Sequence, residues 1–583
     1  MNIHALNHIQ FSNYAYAYNH NTLHIRLRTA KGDMKKVDIC YGCKFDWKAK
    51  KAPMVRAYCD EYFDYYEYEL SCEDSRVGYY FELTDTKGAF KIFTEVGLID
   101  EFDDSQAYCT FFQCPYINSS DIHVKPNWVD DAVFYQIFVD RFNKGQCDNV
   151  RDDLVPWDAE PTPTNYFGGN LQGIIDKLDY LEDLGINAIY LTPIFESISN
   201  HKYDISDYMK IDKYFGDKET MCQLVKQAHN RGIRIILDAV FNHCSMDISF
   251  FQDVLKLGKK SKYKDWFVIH NYPVSVKKAN YETFGFCNYM PKLNTENEGV
   301  KEFLFSVVRY WSQETGIDGW RLDVADEVNR GFWRDFRKVV KEIDENMIVI
   351  GESWHIALDW LKGDMFDGVM NYPVTKLMLD YFTRKCIDSE MMAYKLSNHI
   401  VQYSQTVNEC MLNLLDSHDT ERFLTSTKGN IDQLLAATTF LYGYRGMPCV
   451  YYGTEIGMDG AYDPGCRKGF DWNRDNWNKK VYDFYKKIIN IRKSEIALKK
   501  GTVEFDYNKE VFVMKRQYKR EVIYVIANAS DEAVTVDLNL LFKKTKRATK
   551  KAEFKELISS KCRFDSEKGI VEIMPDGAGY YKK

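Results

Sequence analysis

The stretch Met347-Ile-Val-Ile-Gly-Glu352 is a short apolar run that ends in a carboxylate. Seven further short apolar runs lie between residues 133 and 452, and amphipathic segments with helical spacing, such as 171–184, separate them. Short apolar strands that alternate with helices are typical of a parallel sheet covered by helices. Eight such units predict an α/β protein with an enlarged (β/α)8 TIM barrel. The predicted strands are 133–139, 186–191, 233–239, 319–324, 347–351, 366–370, 411–415 and 449–452.

The segments on either side of this region have a β pattern instead. Apolar and polar residues alternate at 23–28 and 78–83, and again at 521–526, which is typical of half-buried strands. The connection that follows the third barrel strand is too long for a simple loop and predicts a small inserted subdomain. We therefore predict three domains, an N-terminal β-sandwich at 1–125, a catalytic barrel at 126–497 with an insertion at 244–298, and a C-terminal β-sandwich at 498–583.

The composition excludes several classes of protein. The chain has 583 residues, of which 45% are hydrophobic and 28% charged, the balance of a globular protein. A net charge of −8 at pH 7 argues against nucleic acid and anionic membranes as partners. The longest apolar stretch, 435–452, is interrupted by Arg445 and by glycines, so we expect no membrane span.

The cysteines and the N-terminus bear on the compartment. The 15 cysteines are scattered, and Cys40 and Cys43 form the only CxxC pair, without a second pair or a His pair to complete a zinc site. No basic segment followed by an apolar run begins the chain, so we expect no signal peptide. Reduced thiols and a cytoplasmic location are the expectation.

Polar residues end several of the predicted barrel strands. In a barrel of this type the active site gathers at the carboxyl ends of the strands, and an unpaired buried ion costs several kcal/mol. Several acids with two histidines and an arginine suit carbohydrate chemistry better than hydride or phosphoryl transfer, for which no Gly-rich phosphate loop is present. A metal hydrolase built on the two histidines stays open at this point, although no His-Glu-x-x-His motif accompanies them. The strand-end residues are Asp238, Asn242, His243, Arg321, Asp323, Glu352, Asp416, His418 and Asp419.

Five blocks of sequence resemble one known family. They are Asp238-Ala-Val-Phe-Asn-His243, Gly319-Trp-Arg-Leu-Asp-Val-Ala-Asp-Glu327, Gly351-Glu-Ser-Trp-His355, Leu415-Asp-Ser-His-Asp419 and Met290-Pro-Lys-Leu-Asn294. In this order and spacing they resemble the α-amylase family of glycoside hydrolases (family 13). Within it, the chain is similar to the neopullulanase, cyclomaltodextrinase and maltogenic amylase group, including that group's starch-binding-like N-terminal module.

The resemblance implies a retaining double displacement with three catalytic acids. Asp323 would be the nucleophile, and Glu352 would protonate the leaving oxygen and then deprotonate water. Asp419 would accept hydrogen bonds from the 2-OH and 3-OH of the reacting sugar. Arg321, two residues before Asp323 and on the same strand face, would hold the nucleophile ionised.

The resemblance also implies a set of residues that bind the substrate. Two histidines would donate to sugar hydroxyls, and a tyrosine with a histidine alongside would form an aromatic platform. An Asp–Arg pair would close the non-reducing side, and two phenylalanines, a tryptophan and a glutamate would line the acceptor side. The two histidines are His243 and His418, and the platform is Tyr203 with His201 alongside. The pair that closes the non-reducing side is Asp463 and Arg467, and the acceptor side is lined by Phe284, Phe286, Trp354 and Glu327.

Two departures from the family pattern bear on cofactors and on the reaction outcome. Relatives often bind calcium after the segment Asp140-Arg-Phe142, but Lys144, Gln146 and Val150 stand at most of those positions, and Asn170 stands where Asp is usual. We therefore predict no calcium, no other metal and no cofactor. Val324-Ala-Asp-Glu327 replaces the more frequent Val-Ala-Asn-Glu, which leaves the balance of hydrolysis and transglycosylation open.

The favoured function is a retaining hydrolase of α-glucan oligosaccharides. It would cleave α-1,4 links in maltooligosaccharides, cyclodextrins and pullulan, with α-1,6 cleavage left open. As in the group that it resembles, we expect a homodimer whose N-terminal domain narrows the partner's active site, and thus slow starch degradation. Two alternatives remain, an exo-acting α-glucosidase or oligo-1,6-glucosidase, and an inactive glucan-binding subunit.

Overall fold

The computed structural model describes residues 1–102, 107–508, 510–542 and 552–583. The N-terminal domain contains two antiparallel sheets, with strand orders β1-β2-β6-β5 and β4-β3-β7-β8-β9, and β10 pairs with β7. Alternate side chains of both sheets, among them Ile25, Leu27, Ile39 and Phe81, form a separate core between them. The strands are β1 (Ala15–Asn19), β2 (Thr22–Ala30), β3 (Met34–Cys43), β4 (Lys50–Pro53), β5 (Val55–Cys59), β6 (Phe63–Ser71), β7 (Val77–Asp85), β8 (Phe90–Thr94), β9 (Gly97–Ile99) and β10 (Phe112–Cys114).

The middle of the chain forms the predicted parallel barrel. Eight strands pair in the order β18-β17-β16-β15-β12-β11-β20-β19, and a parallel bridge between Met370 and Leu412 joins the two ends. All eight predicted strands are present, so the barrel prediction is confirmed. The hairpin β13–β14 lies outside the barrel sheet. The strands are β11 (Phe134–Ile137), β12 (Ala188–Leu191), β13 (Phe195–Ser197), β14 (Ile205–Ile211), β15 (Arg234–Ala239), β16 (Gly319–Leu322), β17 (Ile348–Gly351), β18 (Gly368–Val369), β19 (Leu412–Leu414) and β20 (Met447–Tyr451).

Helices surround the barrel, and several of them begin at a side-chain cap. In α6, for example, the Asn297 side chain accepts hydrogen bonds from the N–H groups of Gly299 and Val300, which would otherwise be unpaired. No helix in the described parts of the chain is long and apolar enough to cross a bilayer. The helices are α1 (Val139–Phe142), α2 (Leu171–Ile175), α3 (Leu178–Leu184), α4 (Lys218–Asn230), α5 (Ser249–Leu257), α6 (Glu298–Thr315), α7 (Arg330–Ile343), α8 (Tyr372–Met378), α9 (Ser389–Val401), α10 (Gln405–Glu409), α11 (Phe423–Ser426), α12 (Ile431–Gly443), α13 (Lys479–Ser494) and α14 (Ile496–Lys500).

The insertion predicted at 244–298 lies between β15 and α6 and contains α5 and several single helical turns. Antiparallel bridges join His243 to Lys292 and Phe267 to Leu293. They tie the end of the insertion to the segment that leaves β15, so the insertion forms one wall of the barrel mouth.

The C-terminal domain is a β domain, as predicted. Its described strands pair in the order β21-β22-β23-β26-β24, and β25 runs along β26. Residues 578–582 of β26 pair with β23 while residues 570–573 pair with β24, so this long strand spans two layers and encloses a core with Val513, Ile526 and Ile573. The strands are β21 (Thr502–Asn508), β22 (Val511–Tyr518), β23 (Glu521–Asn528), β24 (Val534–Asp537), β25 (Lys555–Asp565) and β26 (Ile570–Lys582).

Candidate active site

The alternation of side chains along the barrel strands points a set of polar residues inwards. Ile348 and Ile350 of β17 belong to the apolar cluster inside the barrel, whereas Val349 packs against the helices. Because the period of a strand is two, Glu352 continues the inner row. In β16 the same rule puts Arg321 and Asp323 inside, since Trp320 and Leu322 pack outwards.

Asp323 and Glu352 lie opposite each other on neighbouring strands. The register pairs Leu322 of β16 with Gly351 of β17, so Asp323 and Glu352, the next residues along these strands, lie side by side. The Glu352 N–H donates to the Leu322 carbonyl at 2.8 Å. Adjacent strands are about 4.8 Å apart. Retaining glycosidases need two carboxyl groups about 5–5.5 Å apart. The register therefore places the pair at a spacing that suits covalent catalysis.

Arg321 connects three carboxyl groups. Its Nη1 donates to Asp323 Oδ1 at 2.8 Å and to Asp238 Oδ2 at 3.0 Å, while its Nη2 lies 2.9 Å from Glu352 Oε2. The Val324 N–H donates to the same Glu352 oxygen at 2.9 Å. All four residues are at most 5% exposed. One guanidinium cannot balance three carboxylates, so this cluster retains protons.

The pKa shifts follow from this shortage of positive charge. Burial raises the pKa of Asp323 well above its usual range; Arg321 opposes this shift, while Glu352 and Asp238 add to it. Burial also raises the pKa of Glu352 and, despite Arg321, raises that of Asp238 to about 6. The expected contact between Arg321 and Asp323 is present, but the direction of the Asp323 pKa differs from the expectation, because Arg321 is shared.

His418 and Tyr203 belong to one chain of hydrogen bonds. Gln136 Nε2 lies 2.7 Å from His418 Nδ1, His418 Nε2 lies 2.6 Å from the Tyr203 hydroxyl, and that hydroxyl donates to Asp238 Oδ2 at 2.9 Å. An amide N–H at Nδ1 implies that the His418 proton is on Nε2. Burial lowers the pKa of His418 well below its usual value, so the ring is neutral. The rings of His418 and Tyr203 are parallel with centroids 5.4 Å apart, and the His201 ring stacks on Tyr203 at 6.0 Å.

His243 points an unpaired nitrogen towards Asp323. Its Nε2 lies 4.0 Å from Asp323 Oδ2, and both atoms are buried without a hydrogen-bond partner. Burial lowers the pKa of His243 to about 3, and its ring stacks on Phe284 at 4.7 Å. Buried polar atoms are normally paired, so these two atoms mark the place where a polar ligand fits.

Asp419 lies on the opposite side of this space, next to Arg467. Arg467 Nη2 contacts Asp419 Oδ1 at 3.3 Å, its Nη1 contacts Asp463 Oδ1 at 2.8 Å, and its Nε donates to the His418 carbonyl at 2.8 Å. Burial raises the pKa of Asp419, and Arg467 opposes this shift. The predicted Asp463–Arg467 pair is thus formed and positions Asp419.

Trp354 marks the start of an open cleft. It stacks on Tyr372 with ring centroids 3.9 Å apart and 46% of its surface exposed. Together with Asp419 and Tyr462, these rings line a cavity of about 720 Å³. Such a cavity has the size of a ligand-binding cleft.

The remaining predicted residues lie farther out. Glu327 is half-exposed and pairs with Lys292 at 3.3 Å. Phe286 is fully exposed on the insertion, so the structure does not bring it into the buried cluster. Asp326 accepts a hydrogen bond from the Ser353 hydroxyl at 3.3 Å, next to Glu352.

In the segment after Asp140, where relatives often bind calcium, the polar side chains make contacts within the chain. The Asn170 side chain accepts from the N–H groups of Gly145 at 3.1 Å and Gly173 at 2.8 Å. Asp140 accepts from Arg141 at 2.6 Å and from the N–H of Phe167 at 3.0 Å. In the described ranges, no three His, Cys, Asp or Glu side chains converge as metal ligands would. That the chain binds no calcium stays a prediction.

Sequence reasoning gave no role to several residues of the site. Asp238 was seen as a strand-end acid, but its place on Arg321 depends on a neighbouring strand. Tyr190, whose hydroxyl donates to Asp238 Oδ2 at 2.6 Å, lies inside an apolar-looking strand and carries no signal. Tyr372 lies inside the segment Asp367-Gly-Val-Met-Asn-Tyr-Pro373, whose similarity to the same family was the one hint to it.

Comparisons with known proteins agree with this geometry. The family described as "Alpha amylase, catalytic domain" matches residues 136–474, and "Alpha amylase, N-terminal ig-like domain" matches residues 1–118. A cyclomaltodextrinase of Thermoanaerobacter pseudethanolicus is 45% identical over 90% of this chain and 92% of its own length. Neopullulanase 2 of Thermoactinomyces vulgaris is 42% identical over 93% of each chain.

A solved structure gives the same result in three dimensions. A cyclomaltodextrinase superposes with a TM-score of 0.92 and 41% identity, covering 100% of both chains. The match therefore includes the barrel and both β domains, in agreement with the resemblance stated from the sequence. The chain belongs to the α-amylase family of glycoside hydrolases.

Proposed function

We propose that this protein is a retaining α-glucan hydrolase that cleaves α-1,4 links in maltooligosaccharides, cyclodextrins and pullulan. The observation that carries the proposal is the pairing of Asp323 and Glu352 in register on neighbouring strands, with both carboxyl groups on Arg321. The names of the similar proteins, cyclomaltodextrinase and neopullulanase, support the substrate class.

The proposed reaction has two steps. Glu352, whose pKa is raised by burial, protonates the glycosidic oxygen while ionised Asp323 attacks the anomeric carbon and the bond to the leaving sugar breaks. Water then attacks the glycosyl-enzyme, and Glu352 accepts its proton. The buried acids share their protons, and the reaction starts from the microstate in which Asp323, at 2.8 Å from Arg321, is ionised and the proton is on Glu352.

The surrounding residues would hold the reacting sugar. His243 Nε2 and Asp323 Oδ2 are buried and unpaired, so sugar hydroxyls and the anomeric carbon can meet them without displacing protein contacts. Asp419, held by Arg467 at 3.3 Å, would accept from hydroxyls of the same ring. These hydrogen bonds would strengthen as positive charge develops on the sugar.

Product analysis tests the proposal. We expect cyclodextrin to yield linear maltooligosaccharides, pullulan to yield panose, and the first anomer formed to be α, as followed by NMR. Release of glucose alone from pullulan would favour an exo-acting glucosidase instead. An inactive wild-type chain on all three substrates, with the fold intact, would favour a binding subunit and contradict the proposal.

We further propose a homodimer in which the N-terminal domain of one copy narrows the cleft of the other. Half of the large hydrophobic side chains that are exposed in the described structure belong to residues 1–124, among them Phe11, Phe45 and Tyr62. Exposed apolar surface of this density is typical of interfaces. Light scattering should give twice the mass of 68.4 kDa, and Phe45→Glu with Phe11→Glu should yield monomers that digest starch faster relative to cyclodextrin.

A cytoplasmic location completes the proposal. The structure pairs none of the 15 cysteines, all of which lie in its described part, which suits a reducing compartment. In the source cells, fractionation should find the activity with cytoplasmic markers. Activity in the medium or with the envelope would contradict this location.

A further inference from the structure

A second cavity, of about 410 Å³, lies at the amino end of the barrel, away from Asp323. The N-terminal domain supplies one wall through β2, β5 and β6, the helices α9 and α10 supply another, and the start of β21 closes it. Val55 and Glu69 are exposed at its mouth. We call it the junction cavity.

Arg445 in the wall of the junction cavity has too few partners. It is 6% exposed, yet its one hydrogen bond runs from Nη2 to the Gly501 carbonyl at 3.3 Å. A guanidinium has five N–H donors. Among the described residues no carboxylate lies within 4.0 Å of it. Buried arginines are rare unless they are paired.

Two further arginines increase the positive charge behind this wall. Arg516 is 0% exposed and donates to the carbonyls of Gly443 at 2.6 Å and Gly501 at 3.2 Å. Arg492 is 2% exposed and donates to the Gly446 carbonyl at 2.8 Å. Neither has a carboxylate within 4.0 Å in the described structure. Burial and the charges of Arg492 and Arg445 lower the pKa of Arg516 well below its usual value.

The other charges of the junction cavity are compensated or lie at its rim. Arg26 Nε donates to Glu67 Oε1 at 2.7 Å, so this pair is neutral as a unit. Glu69 is exposed to solvent, which screens its charge. Glu409 is the acid whose charge reaches Arg445, but it pairs directly with Lys125 at 2.5 Å. Arg445 is therefore the cation of the wall that has no carboxylate in direct contact among the described residues.

A histidine of the same wall offers a second donor. The Tyr18 hydroxyl lies 3.1 Å from both Gln405 Oε1 and His24 Nδ1. His24 Nε2 lies 3.6 Å from Glu67 Oε1, and this carboxylate favours a proton on Nε2. In the described structure Nε2 is buried without a hydrogen-bond partner, so its N–H is suited to donate to an oxyanion.

We propose that the junction cavity binds a phosphate-class oxyanion, free or as a monoester on a hydroxylated body, with Arg445 as its anchor. A guanidinium binds such anions through two parallel hydrogen bonds. The anion would compensate the charge that the three arginines leave unbalanced. This site is separate from the cleft, and the proposal does not depend on the proposed reaction.

Calorimetry on the full chain tests the proposal with two probes, inorganic phosphate and glucose 1-phosphate, at constant ionic strength in chloride. We expect saturable binding with one site per chain. Tighter binding of the ester identifies an ester site, and equal binding identifies a site for the free anion. Arg445→Lys keeps the charge but loses the paired donors, so binding should weaken at least tenfold. Arg309→Lys, at an exposed position of α6, is the matched control and should bind as the wild type does.

A second pair of variants avoids the buried positions. Val55 is 64% exposed at the mouth, so Val55→Glu and Val55→Lys change the local charge without disturbing the core. The first should weaken binding several-fold and the second should strengthen it. The proposal is overturned if the wild type shows no saturable binding, or if neither Arg445→Lys nor the Val55 pair changes it. It is equally overturned if Asp323→Asn, which removes a negative charge from the cleft, strengthens the binding, since the anion would then occupy the cleft.

Discussion

Two buried aspartates at opposite ends of the barrel differ in how their charge is compensated. Asp323 follows β16 at the carboxyl end, whereas Asp367 precedes β18 at the amino end. Asp367 accepts from Arg337 at 2.8 Å and Lys341 at 3.2 Å, and His123 Nε2 lies 3.2 Å away. Burial by itself would raise the pKa of Asp367, but Arg337 and Lys341 outweigh it and hold the pKa far below its usual range.

At the carboxyl end the ratio of charges is reversed. Asp323 shares the single guanidinium of Arg321 with Asp238 and Glu352, and its pKa is raised. Surplus cations around one acid stabilise the fold, whereas surplus acids around one cation retain the protons that acid–base chemistry needs. The same residue type therefore serves stability at one end of the barrel and chemistry at the other.

The largest expected effect is the loss of activity in Asp323→Asn. Because the amide cannot form the glycosyl-enzyme, kcat on cyclodextrin should fall by roughly four orders of magnitude or more. Unfolding should need no less denaturant than in the wild type, since one member of a crowded group of acids is neutralised. A variant that loses stability as well as activity would break the comparison, because Asp323 would then support the fold as Asp367 does.

Asp367→Asn should have the opposite outcome. It leaves Arg337 and Lys341, whose side chains are only 12% and 18% exposed, without their shared partner, which should lower the free energy of unfolding by about 3–5 kcal/mol. At a temperature where the variant is folded, kcat should change little. Asp364→Asn is the control, because Asp364 is half-exposed and, among the described residues, pairs with Arg334 alone; it should cost less than about 1 kcal/mol. Equal losses of unfolding free energy in Asp367→Asn and Asp364→Asn would contradict the stabilising role of Asp367 between Arg337 and Lys341.

The pH dependence of stability sharpens the comparison further. The pKa of Asp367 is lower in the folded state than in the unfolded state. The stability that Asp367 contributes is therefore present above the unfolded-state pKa of about 3.9 and is lost progressively as the pH falls below it. The pKa of Asp323 is higher in the folded state than in the unfolded state. Asp323 therefore lowers the free energy of unfolding increasingly as the pH rises above about 4.

Urea unfolding between pH 3 and pH 7 measures how the contributions of Asp367 and Asp323 to stability change with pH. The gap between wild type and Asp367→Asn should close towards low pH. The advantage of Asp323→Asn over wild type should grow towards neutral pH, and each effect is limited to about 1.4 kcal/mol per pH unit. If the stability of the wild type relative to each variant changed with pH in the same direction, the two ends of the barrel would not differ in the way described.

The smallest expected effect is that of a chelator. Because Asn170 and Asp140 are occupied by contacts within the chain, EDTA should leave both the melting temperature and the kcat unchanged. Calcium added back should have no effect either. A clear loss of stability in EDTA that calcium restores would contradict the prediction and would place a metal among the supports of the fold.

The sequence by itself determined the number and order of the barrel strands, and the shared face of Arg321 and Asp323. Both follow from local periodicity, since a strand alternates its side chains whatever it packs against. The blocks around Asp323, Glu352 and Asp419 likewise indicated the family before any coordinates.

Only the tertiary structure decided how charge is shared. Arg321 also binds Asp238 and Glu352, and Tyr190 donates to Asp238. Arg445 has no carboxylate within 4.0 Å in the described structure. Each of these facts depends on residues that are far apart along the chain. A pKa depends on burial and on every charge within a few ångströms. Periodicity places a side chain on a face, but the neighbours that it meets there are set by strand register and domain packing.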